Sequence, residues 1–114
     1  MAKIIVIALL ALIAVLLWRN WSRSRREAYI AAFPYQRFLD QRLAARHPGL
    51  TAEQRNEVFA ALDDYFQFCR KAGRRMVSMP SQAVDDAWHE FILFTRQYDK
   101  FCRHAFGRFL HHTP

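Results

Sequence analysis

The sequence predicts an all-α protein, with one N-terminal transmembrane helix followed by a small domain of three to four helices. Three observations carry this expectation. An unbroken apolar run opens the chain. Beyond it, apolar residues recur at spacings of three and four. No stretch alternates apolar and polar residues in the way a half-buried strand does.

The apolar run spans Ile4 to Trp18, fifteen residues without a charge. A bilayer core takes about 20 helical residues, with roughly 17 the lower end. Lys3 extends the run by snorkelling, and Trp18 and Trp21 are interfacial side chains at its other end. A cleaved signal peptide also has a basic start and an apolar stretch, but it ends in a small-x-small site. Leu16-Leu17-Trp18-Arg19-Asn20-Trp21 occupies that place here, which favours an uncleaved anchor. A buried helix of a soluble domain is the other alternative. A helix apolar on every side needs more core around it than the remaining 96 residues supply. The sequence thus divides into an anchor over 1–21, a basic juxtamembrane linker over 22–33 and a helical domain over 34–114.

Charge sets the expected orientation. Arg19, Arg23, Arg25 and Arg26 follow the run, whereas only Lys3 and the amino terminus precede it. The positive-inside rule then puts the N-terminus outside and the domain in the cytoplasm, in a single pass of the cell inner membrane. Those arginines, with Lys3, Trp18 and Trp21, are the expected lipid contacts. The same residues account for most of the net charge of +7, because residues 27–114 hold twelve basic and ten acidic side chains, a net of +2. A nucleic-acid footprint needs the basic excess on the folded domain, so nucleic acid is not an expected partner. Cys69 and Cys102 lack a Cys-x-x-Cys partner and read as core thiols in a reducing compartment.

The domain elements follow in order. Glu27 to Phe33 extends the anchor helix, and Pro34 interrupts it or opens the next. Tyr35, Phe38, Leu39, Leu43 and Ala44 mark a helix of about 13 residues, stopped by His47-Pro48-Gly49. Thr51-Ala52-Glu53-Gln54 is a capping-box pattern. Val58, Phe59, Leu62, Tyr65, Phe66 and Cys69 then form the buried stripe of a second helix, closed by Arg70, Lys71, Gly73, Arg74 and Arg75. Ser78-Met79-Pro80-Ser81 starts a third stripe through Val84, Trp88, Phe91, Thr95, Tyr98, Cys102 and Phe106, with a bend expected near Thr95 and a stop at Gly107. Ten phenylalanines are read as core filling for a small helical domain.

Chemistry-bearing residues gather at the C-terminal end. Asp85 and His89 lie four apart on one helix face, with Asp86 three before the histidine, and His111-His112 follows the last helix. A carboxylate that orients an imidazole serves metal ligands and catalytic bases alike. A divalent transition metal held by Asp85, His89, His111 and His112, with Asp86, Glu90 or Cys102 as auxiliaries, is therefore one reading. The count and spacing of a structural zinc site are missing. So are a Gly-rich phosphate loop, a Gly-x-Ser-x-Gly elbow and a His-Glu-x-x-His helix. Acids in a first helical turn are also explained by the helix dipole alone.

Met79-Pro80-Ser81, Val84-Asp85, Trp88-His89, Ile92, Thr95, Tyr98, Cys102, Phe106-Gly107, Phe109 and His111-His112-x-Pro114 together resemble the glycine-rich domain-containing protein-like family, over roughly residues 34–114. The pattern of that family has a second histidine where this chain has Phe91, and its glycine-rich segment is missing here. The resemblance implies no activity. Two function classes follow from the residues: a membrane-tethered helical module that binds a membrane or cytoplasmic protein, and a metal or acid–base site. No complete catalytic constellation points to an enzyme.

Overall fold

The computed structural model describes residues 1–73, 75 and 77–112. It has five helices and, among the described residues, no strand. They are α1 (Ala2–Ala32), α2 (Tyr35–Arg46), α3 (Ala52–Ala72), α4 (Gln82–Leu93) and α5 (Thr95–Phe106). Arg74, Thr113 and Pro114, which the sequence places in the basic end of the second domain helix and in the tail, lie outside the described residues.

α1 is one uninterrupted helix in which the apolar run and the domain share an axis. The basic segment that follows the apolar run is helical as well, the extension expected from Glu27 onward reaches Ala32, and its last turns pack on the domain. Ile30 is fully buried, Tyr29 stacks on Phe101, and Phe33 packs on Phe91 and Phe101. Tyr29, Ile30 and Phe33 put apolar side chains at helical spacing on the face that the bundle covers. Phe33 then turns extended ahead of Pro34, as the residue before a proline must. Tyr35 Oη donates to Ile30 O at 2.9 Å, adding to the 3.3 Å bond that the same carbonyl accepts from Phe33 N–H at the helix end.

α2 stops at His47, whose N–H donates to Leu43 O at 2.8 Å. Both hydrogen bonds of the capping box form at the head of α3, Gln54 N–H to Thr51 Oγ1 at 3.1 Å and Thr51 N–H to Gln54 Oε1 at 2.8 Å. Arg55 ties α3 to α2 through Asp40 at 2.8 Å. α3 ends on Gly73 at φ 64°. The third stripe is divided more sharply than a bend. Phe94 alone separates α4 from α5, which lets the apolar faces of both helices enter one core.

α4 packs on α2, α3 and α5, while α1 packs on α3 and α5. Phe66, Phe91, Phe101 and Tyr98 are all but completely buried at the centre. Their rings meet edge-on or tilted at 5.0 to 6.2 Å, the arrangement aromatic quadrupoles prefer. Burying each such side chain contributes about 1.5–3 kcal/mol. α5 ends at Gly107 in the left-handed region, φ 71°. A side chain there would also stand 2.6 Å from the flexible end of Arg26, which can move aside, so it is the left-handed backbone that requires glycine.

Candidate functional site

The region to which the sequence points is built around the first two turns of α4. Ser81 caps the helix, its Oγ accepting from Val84 N–H at 3.2 Å. Asp85 and Asp86 follow, about 100° apart around the axis, so they face different neighbours.

Asp86 faces α2. Its Oδ2 accepts from His47 Nε2 at 2.6 Å and its Oδ1 from Gln82 Nε2 at 2.9 Å. The Arg46 guanidinium lies 3.2 Å from Oδ1. One turn on, Glu90 is flanked by Arg42 at 3.4 Å and Arg46 at 3.5 Å. The α2–α4 seam is thus a ladder of two acids and three bases. Asp86 is the buried charged residue of the described chain, and its carboxyl is held below the usual carboxylate range. Burial is the largest influence and opposes ionisation, but the His47 and Gln82 hydrogen bonds and the Arg46 charge outweigh it.

Asp85 faces the tail. Its Oδ1 accepts from His112 Nε2 at 2.6 Å, and the His112 ring packs on Trp88 at 4.6 Å between centroids. The tail is held there by Tyr98. Tyr98 Oη donates to Leu110 O at 2.6 Å and accepts from Trp88 Nε1 at 3.0 Å. Phe109 meets the Tyr98 ring edge-on, and Arg108 donates to Gly73 O. Residues 108–112 therefore form a clasp across the ends of α3 and α4.

Of the four residues expected to hold a metal, two are brought to one hydrogen bond, Asp85 and His112. His89 is exposed on α4, its ring 5.7 Å from that of His112 in a T-shaped approach. His111 is exposed and rests against Phe109 at 4.8 Å. Among the described residues, no group of three or more His, Cys, Asp and Glu side chains is arranged to hold a metal ion. What the geometry supplies is two carboxylate–imidazole pairs, each of which fixes a ring orientation. The sequence offers His47 only as part of the His47-Pro48-Gly49 stop and gives Arg46 no role, so neither is marked as a partner of α4. The legible signal was their position, one helix turn past Leu43 on a face that closes on α4. Cys102 is fully buried beside Tyr98, and burial pushes its thiol pKa up, against the Leu110 backbone and Tyr98.

Residues 25–114 match the family model described as UCP032817-like, and the chain belongs to that family. This overturns the resemblance to the glycine-rich domain-containing protein-like family. The fold gives a physical reason for the mismatch at Phe91. That position is fully buried among Phe33, Phe66, Tyr98 and Phe101, where a ligand histidine would have no access to an ion. The match begins inside α1, near the turn at which the helix starts to pack on the domain. No curated protein and no solved structure matches the chain.

Proposed function

We propose that this member of the UCP032817-like family is a single-pass, membrane-anchored helical module whose domain binds a protein partner at the cytoplasmic face. One observation carries the anchor. An 18-residue window of α1 has mean hydropathy 2.4, and none of it is buried against the rest of the chain. The core helix of a soluble protein passes the same composition test but is covered by its own domain. Here the side chains from Ile4 to Trp18 project clear of the bundle, an apolar surface of the kind that marks membrane contact. The asymmetry of Arg19, Arg23, Arg25 and Arg26 against Lys3 supports the N-out orientation. Continuity of the helix into the core supports retention of the anchor, because Ile30 and the apolar run share one rod. Phe68 and Leu93, 62% and 56% exposed, support a docking role for the domain.

The anchor is tested by alkaline carbonate extraction of cell membranes: the full chain should stay in the pellet, and Leu9→Arg with Leu12→Arg should release it. Orientation is read with a membrane-impermeant maleimide, Cys69 and Cys102 being buried and silent. Ala2→Cys should label in intact cells and Ser78→Cys after permeabilisation; the reverse pattern refutes the orientation. A photocrosslinker at position 68 should capture one reproducible membrane or cytoplasmic protein.

The second reading, a metal or acid–base site on Asp85, His89, His111 and His112, draws on His112 lying between the Asp85 carboxylate and the His89 ring. Elemental analysis of untagged protein tests it. Stoichiometric metal lost in His89→Ala supports that reading, and trace metal indifferent to the substitution removes it.

A further inference from the structure

Near-neutrality of residues 27–114 hides where the fold puts its charge. α3 runs antiparallel to the lower half of α1, with Gln67 Nε2 donating to Glu27 O at 3.0 Å. The C-terminal end of α3 therefore points back toward the apolar run and sets Arg70 and Lys71 against the arginines of α1. Between the two helices lies a cleft of about 630 Å³ lined by Asn20, Ser22, Ser24, Arg23, Arg26, Glu27, Arg70 and Lys71. Four cations and three small polar side chains face a single carboxylate. Glu27 is itself approached by Arg70 at 3.9 Å, and Arg70 is steadied by Gln67 at 3.1 Å. Arg26 donates to Phe106 O at 3.3 Å, and Arg108 to Gly73 O. These two arginines cover carbonyls at the ends of α5 and α3 whose partial negative charge would otherwise repel an anion. Arg23 and Lys71 remain exposed on opposite walls.

Depth along α1 tells which anion the cleft meets. At about 1.5 Å per residue, Asn20 to Glu27 stand about 3 to 14 Å beyond Trp18. The headgroup layer occupies about 5–8 Å outside each face of the hydrocarbon core. The cleft thus opens at the level of lipid phosphates. We propose that the cleft between the juxtamembrane turns of α1 and the C-terminal end of α3 binds the phosphate of an anionic phospholipid, with Arg23 and Lys71 as its two pincers. This goes further than a polybasic segment attracted to a charged surface, since half of the site comes from α3 and exists only in the folded domain. It rests on the membrane-anchored reading.

The test uses the full-length protein in nanodiscs of phosphatidylcholine with or without phosphatidylglycerol, with retained lipid counted by native mass spectrometry. Arg23→Ala/Lys71→Ala removes the pincers. Arg19→Ala/Arg25→Ala removes the same amount of charge, all of it from α1 and outside the cleft. The second variant should lose about fivefold in apparent affinity for each cation removed, the share that any cation near the membrane surface contributes at about 1 kcal/mol. The first should lose that share and the lipid held in the cleft as well, so its loss should exceed that of the second. Equal losses in both variants would reduce the site to diffuse charge and overturn the proposal. So would equal retention of both lipids. Inorganic phosphate that saturates the cleft in neutral nanodiscs, with no gain from phosphatidylglycerol, would overturn the lipid assignment. Failure of the underlying reading looks different. Wild-type protein extracted by carbonate refutes the anchor, whereas wild-type protein that stays in the pellet yet retains no anionic lipid refutes the cleft alone.

Discussion

Asp63-Asp64 on α3 and Asp85-Asp86 on α4 are the same dipeptide, and their less exposed members, Asp63 and Asp86, are pushed in opposite directions. Burial acts against ionisation at both sites and is the largest influence on each. At Asp86 it is outweighed by His47, Gln82 and Arg46. At Asp63 it is reinforced by the charge of Asp64, with only Gln67 opposing, and the carboxyl is pushed up. Asp63 Oδ1 is buried without a hydrogen-bond partner. Donor supply makes the difference. Asp86 faces the last turn of α2, where the chain offers a guanidinium and an imidazole. Asp63 borders an open groove lined by Phe33, Pro34, Tyr35 and Phe59 together with Gln36 and Asn56, whose amides do not bond its buried oxygen. Pro34 has no N–H, and the Tyr35 hydroxyl is already donated to Ile30 O. Burial alone therefore does not set the direction of a carboxyl shift; the facing turn does.

The sharpest way to break this contrast is to remove Asp86. Asp86→Ala leaves His47 and Gln82 without their acceptor and Arg46 with Glu90 alone, and should destabilise the domain by about 2–3 kcal/mol in urea unfolding. A loss under about 0.5 kcal/mol would mean that the seam carries nothing. The pH dependence follows from the direction of the shift. With a folded pKa below the unfolded value of about 3.9, Asp86 contributes stability above that value and loses it as pH falls through the folded pKa. The gap between wild type and Asp86→Ala should therefore hold constant at neutral pH and close only below the ordinary carboxylate range. Next in size is the clasp on Asp85. His112→Ala removes a hydrogen bond to a carboxylate that is partly exposed, so the expected cost is about 1 kcal/mol. Carboxypeptidase should trim the tail faster in that variant. Equal trimming would show that Tyr98 and Leu110 hold the tail unaided.

Elements that obey one local rule were legible in the sequence. The capping box at Thr51 and Gln54, the stop at Gly107 and the stripe from Phe59 to Cys69 each depend on residues within a few positions of one another, and all three are present. The candidate site was legible as a location and not as a set of pairings. Asp85, Asp86 and His89 look like one cluster along the chain, but successive side chains on a helix diverge. Their partners come from residues 47 and 112, one from each side, and no periodicity within α4 identifies them. The sequence places His111-His112 just past the last helix, but the closure of that tail onto Asp85 depends on Tyr98, which the sequence supplies merely as a core position. The extent of α1 was half legible. Hydropathy marks where the apolar run ends, whereas the entry of Tyr29 and Ile30 into the core is decided by α5 and α3.

The smallest expected effect tests the other half of the contrast. If the raised carboxyl of Asp63 reflects a buried oxygen short of donors, an amide of the same shape should be better tolerated than the acid. Asp63→Asn removes the charge and, with it, the repulsion from Asp64. The sign follows from linkage. A carboxyl whose folded pKa exceeds its unfolded value penalises the folded state fully above the folded pKa, and the penalty fades as pH falls toward about 3.9. Asp63→Asn should therefore stabilise the domain at neutral pH by about 0.5–1 kcal/mol, raising the melting temperature. The advantage should vanish in acid, where the wild-type side chain is protonated as well. Asp64→Asn, exposed on the same helix, should yield a fraction of that gain by removing the repulsion alone. A destabilised Asp63→Asn would mean that the carboxylate has an acceptor role in the α1–α3 groove, and the contrast with Asp86 would then lie in the identity of the donors rather than in their supply.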